Sequence, residues 1–489
     1  MNVFKILFFI LFAIGLLAVL CVVFPKEGFA IGEHRLFFPT LEEVMVREKS
    51  QSAGEKIQAL EQSMRMQVRR DSLNNVRQKA QDAYQDSLSF YTDFFTSHPS
   101  RIHLPEADFA FFHSLFRNLD NSERNKELIH ILHYGDSQIE GDRITSNFRQ
   151  KMQEKFGGRG AGLIPVVQPI SSSSVGQTAS EDIERYTVAG NLMNKADHNR
   201  YGVLGQTAQI YESGQITVNA RNWNTTPENV KSFSRVRIFV TQNSPEFSVS
   251  LSAQGKEAGL KTIDEAKEAV SVLTWEFPNP IKSISVNFSG WGEVSAISLD
   301  SKSGVVVDNI PLRGSSGTFF TGIDTKSLSP VLKELNTQLI ILQFGGNSIP
   351  SIKTESQIES YKQQMARQIR FFQKICPEAK VLLIGPSDMS TKIDGRLQSY
   401  PMLKKTAESL KEAALENGAA FWNMYEVMGG ENSMIDWVNN SPPWAAPDYI
   451  HFTPRGSDKI AEIFFESLMI YYDHYRFTTN PAHLESLQE

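Results

Sequence analysis

The chain has 489 residues, 41% of them apolar and 21% charged, which is enough globular material for two or three cores and too much for one. A formal net charge of -6 with no long basic run removes the attraction on which phosphate-backbone binding depends, so nucleic acid is not an expected partner. The two cysteines, Cys21 and Cys376, lie far apart, which excludes an intradomain disulfide framework and a cysteine-based metal site.

Along the chain, Ile6 to Phe24 is an uncharged apolar run flanked by Lys5 and Lys26, about the length needed to cross a bilayer. Residues 1–30 are read as an uncleaved membrane anchor. A cleaved signal peptide would have a shorter apolar region and a small-x-small site, whereas this run ends in Phe24-Pro25-Lys26. A lipoprotein reading of Cys21 is weakened by Leu20 at the position of a small residue. On any of these readings the rest of the protein is exported. Residues 31–98 follow as a helical stalk or linker: Val46 to Leu88 is polar and charge-mixed, rich in helix formers, with only a thin apolar stripe, as in a solvated spacer.

Residues 99–170 read as the first part of an α/β domain. An amphipathic helix is expected from Phe109, and Leu128 to Tyr134 is a short apolar run, hence a buried strand, that ends in Gly135-Asp136-Ser137. Ile144, Phe148, Met152 and Phe156 then recur at every fourth position, so a helix begins close to the serine. Between 171 and 303 the texture changes to alternation, as in Phe247-Ser-Val249-Ser-Leu251 and Ile284-Ser-Val286-Asn-Phe288, which predicts a β-sandwich. From 304 to 478 strand candidates (Leu339 to Phe344, Val381 to Ile384, Ala419 to Trp422) again alternate with helical segments, which argues for a parallel sheet covered on both faces. The β-domain is therefore an insertion in a single α/β domain, and 479–489 is a tail.

Three segments carry chemistry. Ser137 sits where a buried strand gives way to a helix, a geometry that exposes a hydroxyl at the carboxyl edge of a sheet and aims backbone N–H groups at a developing oxyanion; the plainer alternative is a helix-capping serine. Asp448-Tyr449-Ile450-His451 precedes Thr453-Pro454, where a helix can start, so the histidine stands on a loop from which it can act as general base while Asp448 holds its other ring nitrogen. Gly345-Gly346-Asn347 follows a strand and brings a side-chain amide to the same edge, as an oxyanion donor or merely as a turn. No histidine spacing implies a metal: in His130-x-x-His133, on a strand, the two rings face opposite sides. No cofactor is expected either.

Taken in order, Gly135-Asp136-Ser137, a central glycine, an asparagine after a strand and Asp448-x-x-His451 resemble the blocks of the SGNH/GDSL hydrolases. The resemblance spans roughly Glu127 to Leu468 and implies a flavodoxin-like, three-layer domain with a metal-free acyl-serine mechanism. It implies Ser137, Asp448 and His451 as the catalytic triad, and an oxyanion hole formed by Ser137, Asn347 and the block glycine, which falls on Gly314, with Gly317 as the fallback. Ser348 stands where the family commonly has aspartate. The Gly-rich loop Phe156 to Pro165 and the β-insertion after it are similar to those of bacterial peptidoglycan O-acetylesterases; the loop lacks the Lys-Ser/Thr that a phosphate cradle needs. Trp223, Trp275 and Trp291 are candidates either for stacking on sugar rings or for the sandwich core.

The expected activity is hydrolysis of O-acetyl esters on peptidoglycan or another envelope polysaccharide, by an enzyme anchored in the bacterial inner membrane with its catalytic domain in the periplasm. The competing expectation keeps the same residues: an O-acetyltransferase that receives its acetyl group from a membrane acyltransferase partner and passes it to a glycan.

Overall fold

In the computed structural model, which describes residues 3–23, 29–31, 34–36, 53–71, 80–190, 194–264 and 269–479, the apolar run Leu128–Gly135 is a fully buried strand, β1. It is the pivot of a parallel sheet with Gly304–Pro311 (β2), Thr337–Gln343 (β3), Lys380–Ile384 (β4) and Ala420–Trp422 (β5). The spatial order is β2-β1-β3-β4-β5, the doubly wound 2-1-3-4-5 arrangement, and the short strand Ile102–His103 closes the far edge antiparallel to β5. These strands are apolar on both faces because both faces are covered. Helices Arg143–Phe156 and Pro454–Thr479 pack on the core side that holds Ile129, Ile131 and Trp422, while Thr325–Glu334 and Glu355–Ile375 cover Leu132, Tyr134 and Leu383. All four residues of the 144/148/152/156 stripe are buried.

Between Arg143–Phe156 and β2 the chain builds two antiparallel sheets of a sandwich. One has Phe233–Asn243 and Gly292–Asp300 at its centre, the other Phe247–Ala253 and Ser283–Ser289, and their inner faces share a core of Val236, Ile238, Val249, Val286 and their neighbours. Strand Gly162–Ile164, expected in the first part of the α/β domain, pairs instead with Gly292–Asp300, so the sandwich begins before residue 171. The Gly-rich loop makes this seam possible. A Cβ on Gly158 would lie 2.3 Å from the Val305 carbonyl oxygen and one on Gly160 2.2 Å from that of Leu299, and both glycines have positive φ.

Across the seam runs a buried ionic chain. Asp308 accepts from His130 Nδ1 at 2.7 Å, and Arg237 donates to Asp300 at 2.8 Å and stands 2.9 Å from His130 Nε2. Arg235 adds a second contact to Asp300 at 2.7 Å. Burial works against the charge on Asp300, but Arg237, His130 and Arg235 outweigh it and hold its carboxyl below the usual range. His133, on the opposite face of the strand, bonds Gln343 and Thr145, and its burial lowers its pKa to about 4.

Two further expectations need correction. The stalk does not stand free: in helix Ala53–Asp71 the apolar residues Ala53, Ile57, Leu60 and Met64 are buried, Glu61 pairs with Lys459, and Arg65 reaches Glu462 at 3.2 Å on the C-terminal helix. Helix Ala80–Ser97 likewise stacks Phe95 on Tyr471, with ring centroids 4.4 Å apart. The thin stripe is thus a docking face, met by helices Met424–Met428 and Ser433–Asn439 and by the C-terminal helix, which no local pattern reveals. Secondly, the helix expected from Phe109 starts at His113; Phe111 and Phe112 are buried in the preceding turns. Of the three tryptophans with two candidate roles, Trp275 belongs to the sandwich core, Trp291 is half-buried and Trp223 is exposed. Residues 32–33, 37–52 and 72–79 of the 31–98 segment, the Phe24-Pro25-Lys26 junction and the tail beyond residue 479 lie outside the described residues. Helix Phe4–Val23 is long and apolar enough to cross a membrane.

Candidate active site

The carboxyl ends of β1, β2 and β3 meet at the point where strand order reverses, which is where open α/β sheets hold their ligands. Gly135 ends β1 where a Cβ would meet Ile139 at 2.9 Å, and the chain then turns sharply. Ser137 does not cap the next helix. That helix begins only at Arg143, after the turn Glu140–Asp142, and the Ser137 hydroxyl lies 2.8 Å from His451 Nε2.

His451 comes from the other end of the chain. Its loop is fixed by Asp448, whose Oδ1 accepts the backbone N–H groups of Ile450 (2.9 Å) and His451 (3.0 Å) while Oδ2 lies 2.7 Å from His451 Nδ1. With Nδ1 donating to this carboxylate, Nε2 is left as the acceptor for the serine hydroxyl. Burial pushes the Asp448 pKa up, but the bonds from the His451 amide and ring and the Ile450 amide outweigh it, so the carboxyl lies below its ordinary value. The next helix starts at Pro454, with Gly456 N–H donating to Thr453 Oγ1 at 3.3 Å. Gly456 passes so close to Trp444 that a Cβ would overlap its carbonyl oxygen at 1.8 Å.

Gly314 and Asn347 line the same cleft, which has a volume of about 230 Å³ and is walled also by Gln138, Ser387, Met389 and Ile450. Gly317 is packed against Phe344 instead. Both hydrogens of the Asn347 amide are engaged, one by Asp136 Oδ2 (3.0 Å) and one by the Ser315 carbonyl (3.1 Å). Burial raises the Asp136 carboxyl to about 6, against the bonds it accepts from Gln138 N–H and Asn347 and the influence of His451.

Several side chains that assemble the site carry no sequence signal of their own. Gln138 Nε2 donates to the Ile450 carbonyl at 2.7 Å and so ties the serine turn to the histidine loop. Arg143 clamps the turn by donating to the carbonyls of Ser137 (3.0 Å) and Glu140 (2.7 Å). Tyr361 donates to the Ser316 carbonyl at 2.8 Å and steadies the Gly314 loop. Only Asp136 was visible in advance, as the middle of Gly-Asp-Ser. Chemically, a hydroxyl on a neutral imidazole whose far nitrogen is held by a carboxylate is an arrangement for nucleophilic acyl transfer.

Residues 285–459 match the model of the GDSL-like Lipase/Acylhydrolase family, a segment that holds Gly314, Asn347, Asp448 and His451 but not Ser137. Among solved structures, the chain is similar to one titled "Peptidoglycan O-acetylesterase in action, 5 min", with 20% identity and a TM-score of 0.60, covering 74% of this chain and 96% of that one. A family 6 carbohydrate-binding module from Clostridium stercorarium in complex with cellobiose matches at 10% identity and a TM-score of 0.19, over 29% of this chain and 95% of its own. A family two carbohydrate esterase from Clostridium thermocellum matches at 8% identity and a TM-score of 0.24, over 60% of this chain and 97% of its own. No curated protein sequence matches. The chain is thus similar to the SGNH/GDSL hydrolases, carrying the GDSL-like acylhydrolase segment within the fold of a peptidoglycan O-acetylesterase.

Proposed function

We propose that the protein is a serine esterase that removes O-acetyl groups from peptidoglycan or another envelope polysaccharide, held outside the cytoplasm by the Phe4–Val23 helix. The observation that carries this reading is the continuous chain Ser137 Oγ, His451 Nε2, His451 Nδ1, Asp448 Oδ2, with links of 2.8 and 2.7 Å. Ser137 Oγ attacks the ester carbonyl carbon as its proton passes to His451 Nε2. The oxyanion accepts backbone N–H bonds from the Ser137 and Gly314 region, and the Asn347 amide, turning from the Ser315 carbonyl, supplies a third donor. Collapse expels the sugar oxygen, which takes the proton from His451, and leaves acyl-Ser137. Water, deprotonated by His451, then attacks the acyl carbon, and acetate leaves as Ser137 Oγ takes the proton back from His451. Asp448 keeps the imidazole in the tautomer that both steps need and stabilises its protonated form.

The test is acetate release from O-acetylated peptidoglycan by the detergent-solubilised full chain, with Ser137→Ala as control and an unacetylated glycan acceptor added in a parallel reaction. Serine-dependent release without acceptor supports the esterase. Negligible release that becomes acetyl transfer once acceptor is present would replace it with a transferase.

A further inference from the structure

We propose that the hairpin Ser390–Ser399 is a brace for the catalytic histidine: the Ser390 N–H holds the Tyr449 carbonyl, and buried Asp388 latches the hairpin to the domain, so that His451 stays in line with Ser137. Ser390 and Asp388 are then positioning residues for the proton transfer. The proposal rests on the esterase reading for the role of His451.

The need for a brace arises within Asp448-Tyr449-Ile450-His451. Asp448 Oδ1 accepts the amides of both Ile450 and His451, which requires the chain to double back at once, and Tyr449 absorbs the turn with φ at 58°, in the left-handed region. Glycine or asparagine takes that conformation readily. For a side chain as bulky as that of tyrosine it is strained, and it persists only where neighbouring bonds impose it. Inside the loop, Tyr449 N–H donates to the Ala446 carbonyl at 3.0 Å and Ala446 N–H to that of His451 at 2.8 Å. From outside the loop, two donors reach the carbonyls between the aspartate and the histidine. Gln138 holds that of Ile450 at 2.7 Å, and Ser390 N–H holds that of Tyr449 at 3.0 Å.

The Ser390 hydroxyl is buried without a partner, which leaves the backbone N–H as the group through which this residue reaches the loop. Ser390 opens a hairpin that follows the carboxyl end of β4. Its strands Ser390–Ile393 and Arg396–Ser399 pair antiparallel across Asp394 and Gly395, both at positive φ, as a tight two-residue connection requires. A two-stranded hairpin is marginal in water by itself, so this one needs an anchor. Asp388 supplies it. Fully buried, it accepts Ser399 Oγ–H on Oδ1 at 2.6 Å and Met434 N–H on Oδ2 at 2.9 Å, so one carboxylate ties the end of the hairpin to its start and to helix Ser433–Asn439. Ser399 and Asn432 add two reciprocal bonds of 2.9 and 2.7 Å. Burial raises the Asp388 carboxyl to about 6 against the bonds it accepts, a cost that a neutral side chain would avoid only by giving up an acceptor. Next to it, Met389 belongs to a small core with Ile349, Leu403 and Tyr425 on which Ile450 packs, and Met389 and Ile450 both wall the catalytic cleft. The root of the hairpin and the histidine loop therefore form one wall.

The test is kcat and KM for p-nitrophenyl acetate with the full chain, in the wild-type and His451→Ala backgrounds. Ser390→Pro deletes the N–H that holds Tyr449, whereas Ser390→Ala deletes only the unpartnered hydroxyl. Ser390→Pro should lower kcat about tenfold or more relative to Ser390→Ala, with KM within about twofold, because a small misplacement of a reacting group costs up to about a hundredfold. In the His451→Ala background there is no imidazole to misplace, and the same comparison should differ by less than about twofold. General loosening of the fold would lower activity in both backgrounds. If Ser390→Pro does not fold, Asp388→Asn, which keeps the size of the side chain but loses an acceptor for the hairpin, takes its place in the same cycle against the unsubstituted residue. The brace is overturned if proline and alanine at position 390 are equally active, if the loss is as large without His451, or if Asp388→Asn in that role leaves kcat unchanged. Turnover that persists in Ser137→Ala removes the esterase reading instead, whereas serine-dependent turnover with equal losses in both backgrounds removes only the brace.

Discussion

Replacing Asp448 by asparagine should cost more activity than replacing it by alanine. In the native loop Oδ1 accepts two backbone amides, at 2.9 and 3.0 Å, and Oδ2 accepts His451 Nδ1–H at 2.7 Å. An asparagine has one oxygen for these tasks. The two backbone N–H groups claim it, so the NH₂ group faces Nδ1 and forces the proton onto Nε2, which then points a donor at the Ser137 hydroxyl. The opposite amide orientation restores the tautomer but turns the NH₂ group toward two backbone donors, at about 1 kcal/mol or more for each lost bond, hence about 2 kcal/mol or a thirtyfold bias against it. Added to the lost carboxylate charge, Asp448→Asn should lower kcat by roughly 10³–10⁴-fold. Asp448→Ala removes the charge without imposing the wrong tautomer. Because the Asp448 side chain is 46% exposed, water can accept from Nδ1–H, and the loss should be about tenfold smaller. The assay is kcat for p-nitrophenyl acetate with both variants shown to melt like the wild type. An asparagine variant as active as the alanine variant would refute the account of the Asp448 loop.

Further expectations concern the oxyanion site, pH and the supporting framework. Asn347→Ala should reduce kcat by about 10²–10³-fold with a small change in KM, as for loss of one oxyanion donor; an unchanged kcat would restrict Asn347 to its bonds with Asp136 and Ser315. Asp136 has its carboxyl raised to about 6 from 3.8, so the folded state binds the proton more tightly than the unfolded chain. Stability contributed by this group is therefore present at low pH and is lost as pH rises from about 4 to 6, by about 3 kcal/mol for a shift of this size. Buried Asp388, also raised to about 6, acts in the same direction, so Asp136→Asn should flatten but not abolish the slope of stability against pH in that window, read from urea midpoints. Gly456→Ala should destabilise the protein by about 1–3 kcal/mol or more, and lower activity with it, because the added methyl overlaps the Trp444 carbonyl beside the histidine loop. Ile57→Ala should cost about 2–5 kcal/mol in thermal or urea unfolding if helix Ala53–Asp71 is part of the folded body, and nothing measurable if it is a free spacer.

What could be read in the sequence divides along physical lines. The strand ending in Gly-Asp-Ser, the Asp-x-x-His loop before Thr-Pro and the Gly-Gly-Asn turn are local patterns, and local chain geometry decides what they form. The alternation in 247–251 and 284–288 is equally local, and both segments are strands of the sandwich. The 2.8 Å approach of Ser137 to His451 is a different matter: it depends on β1 lying between β2 and β3, a non-local pairing that only the order of the family blocks foreshadows. The docking of helices Ala53–Asp71 and Ala80–Ser97 was hidden for the same reason, since a thin apolar stripe reads as solvated until its partners on helices Met424–Met428, Ser433–Asn439 and Pro454–Thr479 are known. Arg235 and Arg237 stand in a strand whose pattern gives no hint that their common partner, Asp300, is fully buried in the neighbouring strand. Gln138 and Arg143 position the reacting groups through backbone carbonyls, contacts that leave no mark on composition or spacing.

The most direct measurement is rapid acid quenching of the protein during turnover of p-nitrophenyl acetate, followed by peptide mass spectrometry. The account predicts one acetyl group on the peptide that contains Ser137, absent from Ser137→Ala and chased away by further hydrolysis in the wild type. Acetyl found on another residue, or turnover that persists in Ser137→Ala with no acetylated serine, would contradict it.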